Sequence, residues 1–267
     1  MIGIFDSGFG GLTIFRDIKK LLPEYDFLYL GDSARAPYGN RTQETIYHYS
    51  VEAMEWMFAQ GCPLIIIACN SVSSEALRRL QQEWLPAHYP DRRILGVLIP
   101  IAQAVAVASK SGRVGVIGTR ATIESKSYIR ELEKVRPGLM VFQKACPLLV
   151  PLIEEGWEKK PETRKILRSY LAPLKHKQID TLILGCTHYP ILLRDIRATM
   201  GRRVSVPDPG PIVAASLQEY LARHPEIETG LSKRGASRFV TTGSVEHFNC
   251  LGTRFFGSPV AAECADL

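Results

Sequence analysis

Short apolar runs alternate with longer amphipathic segments along most of this chain. The runs are rich in β-branched and aliphatic residues and hydrophobic almost throughout: MIGIF (1–5), DFLYL (26–30), LIIIA (64–68), ILGVL (94–98), RVGVIG (113–118), TLILG (181–185) and RVSVP (203–207). Strands without alternating polarity are typical of parallel sheets covered on both faces, with helical segments as the crossovers. The pattern predicts an α/β fold built from βαβ units.

The two halves of the chain resemble each other. GIFDSGFGG (3–11) and VGVIGTRAT (114–122) each predict a strand, a polar turn and a helix start. LIIIACNS (64–71) and LILGCTHY (182–189) each end an apolar strand at a cysteine, Cys69 or Cys186. The repetition predicts an internal duplication into two pseudo-symmetric domains, each a mainly parallel sheet flanked by helices. Because open α/β sheets bind ligands at the carboxyl ends of their strands, the active site is expected in the interdomain cleft, with one thiol on each wall.

Composition and charge exclude some classes of protein. The chain is 46% hydrophobic and 22% charged, which is ordinary for a folded globular protein. The net charge of +6 includes four scattered basic pairs with no nucleic-acid-binding motif around them, so solvated surface charge is expected: Arg78-Arg79, Arg92-Arg93, Arg202-Arg203 and Lys233-Arg234. A basic surface would equally suit a small acidic substrate.

No export or membrane segment is predicted, and the cysteines are expected to be reduced. The first residues lack a basic region, and the longest apolar stretch, 94–108, is broken by Gly96, Pro100 and Gln103. The expected location is the cytoplasm. None of the six cysteines has the close spacing of a zinc site, so free thiols are available for chemistry.

The glycine-rich segment from Asp6 to Gly11 follows a strand and opens the predicted helix 12–22. Exposed N–H groups at a helix start attract an anion, and glycines permit close approach. The segment lacks the signatures of a P-loop and of a dinucleotide site, and Asp6 would repel phosphate. A substrate with both a carboxylate and an ammonium group suits it better. The alternative is that Asp6 or Ser7 only caps the helix.

Two further segments carry polar groups at predicted strand ends. The loop 31–39 is too polar and turn-rich for a helix, and its Tyr38 and Gly39 could offer a hydroxyl and backbone amides to a ligand, although an ordinary turn is the alternative. His188 lies two residues after Cys186 and can share a proton with it. Cys69 alone would be read as a small core residue, but its counterpart Cys186 favours chemistry.

Two thiols on opposite walls suggest one reaction. Unperturbed thiols titrate near a pKa of roughly 8.5, so each cysteine can be a thiol or a thiolate at neutral pH when a neighbour assists. One thiolate could remove a proton from one face of a carbon atom while the other thiol supplies a proton to the opposite face. Such a step inverts a stereocentre.

Together these segments resemble the glutamate racemases, cofactor-independent enzymes of bacterial cell-wall synthesis. The resemblance runs nearly end to end in the family's order: IGIFDSGFGGLTI, YLGDSARAPYG, IIIACNSVSS, GVIGTRATIES, LVPLIEEG, LILGCTHYPIL and TTGSVEHF. It implies interconversion of L- and D-glutamate without cofactor or metal, supply of D-glutamate for peptidoglycan, and a homodimer that needs neither nucleic acid nor membrane. It also implies that residues 1–96 and 208–267 form one domain and 97–207 the other.

The same resemblance implies roles for individual residues. Cys69 and Cys186 would be the two acid/base thiols, assisted by Asp6 and His188 respectively. From L- to D-glutamate, Cys186 would be the base and Cys69 the proton donor. The residues implied to line the substrate are Asp6, Ser7, Tyr38, Gly39, Asn70, Ser71, Thr187 and His188, and Thr119 and Glu154 match neighbouring positions of less defined role.

Two departures and three rival functions accompany this interpretation. Ser71 stands where the family usually has threonine, and Pro209 where it more often has serine; neither removes a catalytic group, but both could alter substrate affinity. One rival is a two-thiol racemase of another substrate, such as aspartate or a hydantoin, and another is a protein that binds an acidic amino acid without reacting. A pyridoxal enzyme is disfavoured because no strand-end motif contains a lysine.

Overall fold

The computed structural model describes residues 1–267, and its strands form two sheets in which every neighbouring pair is parallel. The first sheet has the order β4-β3-β1-β2-β8-β9 and the second β6-β5-β7. The strands are β1 Ile2–Asp6, β2 Phe27–Gly31, β3 Leu64–Ile67, β4 Arg93–Gly96, β5 Arg113–Gly118, β6 Met140–Ala145, β7 Thr181–Gly185, β8 Ser237–Thr241 and β9 Ala262–Cys264. The predicted α/β class is confirmed.

Helices supply the crossovers between strands. They are α1 Leu12–Leu21, α2 Gln43–Ala59, α3 Asn70–Glu75, α4 Leu77–Arg79, α5 Leu85–His88, α6 Leu98–Ala108, α7 Arg120–Glu124, α8 Ser127–Val135, α9 Leu149–Glu154, α10 Pro161–His176, α11 Leu193–Met200, α12 Pro209–Arg223, α13 Pro225–Glu228 and α14 Val245–Phe256. In α1, Leu12, Phe15 and Ile18 recur at helical spacing and are fully buried where the helix packs against α12 and α14. None of the helices is long and apolar enough to cross a lipid bilayer.

The strand register confirms the predicted duplication. In the first sheet β1 lies between β3 and β2, and in the second β5 lies between β7 and β6. Gly3 of β1 pairs with Ile65 of β3, as Gly115 of β5 pairs with Leu182 of β7. Cys69 and Cys186 therefore follow equivalent strands, and both lie just beyond the carboxyl end of a buried strand.

Some elements differ from the sequence prediction. The segment 203–207 is not a strand: Ser205 forms one isolated bridge with Thr181, and the chain then reaches Pro207, which has no N–H to donate. The strands β6, β8 and β9 were not predicted. Their sequences include polar residues such as Gln143 and Arg238, because β6 and β9 lie at sheet edges and β8 next to one.

The carboxy-terminal part of the chain returns to the first sheet, where β8 pairs with β2. The helices α6 and α12 lie on opposite sides of the predicted domain limits and pack against each other. The limits 1–96 with 208–267, and 97–207, therefore stay a prediction.

Candidate active site

A cavity of about 200 Å³ lies at the carboxyl ends of the strands, with walls from both halves of the chain. Its size suits a ligand smaller than a drug-sized molecule. The polar and thiol side chains on its walls include Ser7, Tyr38, Cys69, Asn70 and Ser71 from the first half and Thr119, Cys146, Glu154, Cys186, Thr187 and His188 from the second; Gly39 also lines it. Every substrate-lining residue implied by the resemblance is present except Asp6.

Cys69 lies two residues after the end of β3, at the residue that precedes α3. Its Sγ atom is 3.3 Å from the Ser7 hydroxyl oxygen, and only 5% of the residue is exposed. Burial, and after it the charge of Asp6, raises the pKa of the Cys69 thiol to about 12. Cys69 is therefore a protonated thiol at neutral pH.

Asp6 lies behind the cavity wall and is almost completely buried. Its carboxylate accepts hydrogen bonds from the Gly8 N–H at 3.1 Å and from the Thr187 hydroxyl at 3.4 Å. Burial raises the pKa of Asp6, opposed by the charge of His188. Because α1 begins without any side-chain cap, the alternative that Asp6 or Ser7 only caps this helix is wrong.

Cys186 belongs to a chain of three groups on the opposite wall. Its Sγ atom is 3.8 Å from Nδ1 of His188, and Nε2 of the same ring is 2.9 Å from Oε1 of Glu154. Burial lowers the pKa of His188, but the hydrogen bonds to Cys186 and Glu154 outweigh it and raise the pKa to about 10. The imidazole is therefore charged at neutral pH and directs a positive charge at the Cys186 sulfur.

The glycine-rich segment after β1 brings the two walls together. A side chain at Gly10 would lie 2.3 Å from the Thr187 hydroxyl and 2.4 Å from Nδ1 of His188, so glycine is required by close approach. The Thr13 hydroxyl in α1 donates to the Thr187 carbonyl at 2.9 Å. The segment predicted to approach an anion thus also packs against the loop that carries Cys186.

The loop 31–39 is held by Asp32 and differs in one respect from the prediction. The Tyr38 hydroxyl donates to the buried Asp32 carboxylate, which also accepts from Arg35 at 2.6 Å and from the Thr242 hydroxyl at 2.7 Å. That hydroxyl consequently has no proton left to donate to a ligand and can only accept from one. Residues 38–40 form a single 3₁₀ turn, so Gly39 presents its backbone to the cavity.

Hydroxyl and amide groups complete the polar lining. The hydroxyl oxygens of Ser71 and Thr119 are 2.9 Å apart and join the two halves across the cavity. No group of three or more His, Cys, Asp or Glu side chains is arranged to hold a metal ion.

Sequence reasoning missed the apolar part of the wall, which Cys146, Pro147, Val150 and Pro151 provide. These residues occur as one run, CPLLVP, directly after the edge strand β6. A cysteine next to proline at a strand end was the available signal, but β6 itself was not predicted.

Comparison with known proteins places this architecture in a family. The family model described as Asp/Glu/Hydantoin racemase matches residues 2–217. The chain is similar to the glutamate racemase of Geobacter metallireducens (40% identity, covering 96% of this chain and 92% of that protein) and to that of Persephonella marina (44% identity, covering 100% and 97%).

Solved structures agree with the sequence comparison. Glutamate racemase isoform RacE1 from Bacillus anthracis superimposes with a TM-score of 0.91 at 34% identity, covering 100% of this chain and 97% of that one. Glutamate racemase from Francisella tularensis in complex with D-glutamate gives 0.89 at 32% identity, covering 99% and 97%. The matching fold, the family model and the relatives lead to one conclusion: the chain belongs to the Asp/Glu/hydantoin racemase family.

Proposed function

We propose that this protein is a glutamate racemase that interconverts L- and D-glutamate with two thiols and no cofactor. The observation that carries the proposal is the pair Cys69 and Cys186, which leave equivalent strands of the two sheets and line one cavity. A binding protein that does not react with its ligand would have no use for this duplication of thiols.

Glutamate is the proposed substrate because the relatives above are named glutamate racemases and one of the similar structures holds D-glutamate. The cavity lining contains no lysine or arginine. Carboxylates would therefore be bound by neutral donors, namely the hydroxyls of Ser7, Ser71 and Thr187, the Asn70 amide and backbone N–H groups near Gly39.

The two thiols have different surroundings, which supports the roles that the family resemblance implies for the L enantiomer. The positive charge of His188 lies next to the Cys186 sulfur, at 3.8 Å, whereas burial beside Asp6 keeps Cys69 protonated. The Cys186 thiolate takes the α-proton of L-glutamate, leaving an electron pair on the α-carbon that is delocalised into the carboxylate. The Cys69 thiol then donates its proton to the opposite face. D-glutamate leaves with Cys69 as thiolate and Cys186 as thiol, the protonation states from which the reverse reaction begins.

Exclusion of water supports this chemistry. A carbanion-like transition state has little intrinsic stability, so hydrogen-bond donors that are already in place must stabilise the developing charge on the carboxylate. Both thiols and His188 are at most 7% exposed, and the Ser71–Thr119 contact bridges the two halves. Closure of the two proposed domains, 1–96 with 208–267 and 97–207, would seal the cavity.

The family resemblance extends the proposal to the cell. D-glutamate from this reaction would supply peptidoglycan synthesis, and the enzyme would act as a homodimer. Sedimentation of the purified protein tests the second statement, because a monomer at every accessible concentration would contradict it.

The function is tested by incubating purified, chelator-dialysed protein with L-glutamate alone and resolving the enantiomers by chiral chromatography. The expected result is an equal mixture of L- and D-glutamate. Parallel incubations with L-aspartate and in deuterated water separate the rivals: racemisation of aspartate in preference to glutamate, or no exchange of the α-hydrogen, would contradict the proposal.

A further inference from the structure

Tyr128 connects the second half of the molecule to the cavity wall of the first half. It lies on α8, is fully buried, and its hydroxyl donates to Oδ1 of Asn70 at 2.7 Å. Asn70 begins α3, directly after Cys69, and lines the cavity. A buried side chain outside the cavity lining thus contacts a residue that faces the ligand space.

This hydrogen bond determines which way the Asn70 amide points. A carboxamide oxygen only accepts hydrogen bonds and its NH₂ group only donates them. The Tyr128 hydroxyl occupies the oxygen, so the NH₂ group lies on the other side of the amide. Nδ2 of Asn70 has no protein partner, and it is not among the polar atoms that are sealed from solvent without one. The free donor therefore faces the cavity.

The helix that carries Tyr128 is firmly attached to the segment after Cys69. The neighbouring Ser127 hydroxyl donates to the Ser74 carbonyl at 2.8 Å, and Glu131 of α8 forms an ion pair with Arg78 of α4. These contacts fix α8 against α3 and α4, so the Tyr128 hydroxyl is in place before a ligand arrives. A donor held ready in this way costs no reorganisation during the reaction.

We propose that Tyr128 is a positioning residue that orients the Asn70 amide so that its NH₂ group donates to a carboxylate of the substrate. This inference rests on the proposed function, because it requires an anionic amino acid in the cavity. If the amide were flipped, its oxygen would face the carboxylate and repel it. The phenol opposes that flip, because its hydroxyl would then have to accept from the NH₂ group and its own proton, which has Asn70 as its one acceptor, would be left unpaired in a buried position.

The test compares Tyr128→Phe with the parent enzyme and with Tyr25→Phe. Tyr25 is a matched control, because it is 5% exposed, its hydroxyl donates to Glu228 at 2.7 Å, and neither of these residues lines the cavity. For Tyr128→Phe we expect the KM for L-glutamate to rise about three- to tenfold, with kcat changed less, as for a lost hydrogen bond. Tyr25→Phe should keep the parental KM although both variants lose some thermal stability, because each removes one tyrosine hydrogen bond from the folded protein.

A double-mutant cycle separates orientation from general packing. In an Asn70→Ala enzyme there is no amide to orient, so adding Tyr128→Phe should raise KM no further. Equal increases of KM in both backgrounds, or a parental KM in Tyr128→Phe, would overturn the inference. If the parent enzyme itself fails to racemise glutamate, the proposed function has failed, whereas an active parent with an insensitive Tyr128 refutes the inference alone.

A second variant covers the case in which Tyr128→Phe does not fold. Asn70→Asp keeps the size of the side chain and an acceptor for Tyr128 but replaces the NH₂ donor by a carboxylate oxygen. We expect its KM for L-glutamate to rise more than about tenfold, because an unfavourable charge is added to the lost hydrogen bond. A parental KM would mean that the Asn70 donor does not contact the substrate, which also overturns the inference.

Discussion

Replacing Glu154 by glutamine should shift the alkaline limit of activity while leaving the cavity intact. Glu154 accepts from Nε2 of His188 at 2.9 Å, and His188 in turn contacts Cys186. The difference between an ordinary histidine pKa of 6.5 and the value of about 10 corresponds to on the order of 5 kcal/mol in favour of the charged ring. Cys186 and Glu154 together provide this stabilisation against the opposing effect of burial.

Loss of the Glu154 charge removes one of the two partners. A hydrogen bond to a charged group contributes roughly 1.5–3 kcal/mol, so Glu154→Gln should lower the pKa of His188 to between about 8 and 9. Because the pKa of His188 is raised in the folded enzyme, the charged form is present throughout neutral pH and is lost as the pH rises through that value. The alkaline fall in kcat/KM should therefore begin one to two pH units earlier, by the same estimate.

The assay is the initial rate of D-glutamate formation from L-glutamate across neutral to alkaline pH. Glu226→Gln is the control, because Glu226 also accepts from a histidine, His224, at 2.9 Å. In this pair the side chain of Glu226 is 58% exposed and that of His224 is 38% exposed. An exposed pair is screened by solvent, so this variant should keep the parental profile. If the Glu154→Gln profile superimposes on that of the parent, Glu154 does not maintain the charge on His188 and the reasoning fails.

Three further predictions concern single contacts. Asp6→Asn should speed the alkylation of Cys69 by iodoacetamide, because the variant loses a charge that raises the pKa of this buried thiol. Peptide mapping would measure the rate, and an unchanged rate would mean that Asp6 does not influence Cys69. Ser71→Ala should raise the KM for glutamate about three- to tenfold with little change in thermal stability. A parental KM would mean that the Ser71 hydroxyl contacts Thr119 but not the substrate. Burial would raise the pKa of Asp180, but hydrogen bonds from Ser111, Ser109 and Thr181 lower it to about 2, so its contribution to stability is present above pH 3.8 and is lost as the pH falls towards 2. Urea unfolding of Asp180→Asn should accordingly show a loss of about 1 kcal/mol at neutral pH that closes in acid, less than the full pKa shift implies because solvent screens this partly exposed group; a loss independent of pH would contradict this assignment.

The sequence was most informative where the relevant signal is local. Cys69 and Cys186 each follow a strand within a few residues, so the hydrophobic pattern alone indicated that both lie at the carboxyl ends of the sheet strands. The duplication was visible for the same reason, since strand, turn and cysteine recur in one order. The observed register, in which Gly3 and Gly115 pair with equivalent residues, follows from that repetition.

Contacts between distant segments could not be predicted in this way. The chain pattern gives no reason for Asp6 to lie behind the wall, for the Tyr38 hydroxyl to be donated to Asp32, or for Glu154 to reach His188 across 34 residues. Such pairs depend on how crossover helices pack. The edge strand β6 was missed because half-exposed strands tolerate polar residues, and with it the apolar wall at Cys146 was missed as well.

The central claim is that two thiols act on opposite faces of one carbon atom, and elimination by single-cysteine variants tests it most directly. Elimination of a β-leaving group from a glutamate analogue needs proton removal from one face and no donation to the other. Cys69→Ser should therefore eliminate from the L enantiomer through Cys186 and fail with the D enantiomer, while Cys186→Ser should show the reverse, and neither should racemise glutamate at an appreciable rate. Elimination from both enantiomers by one variant, or racemisation of glutamate by either variant at the parental rate, would contradict the account.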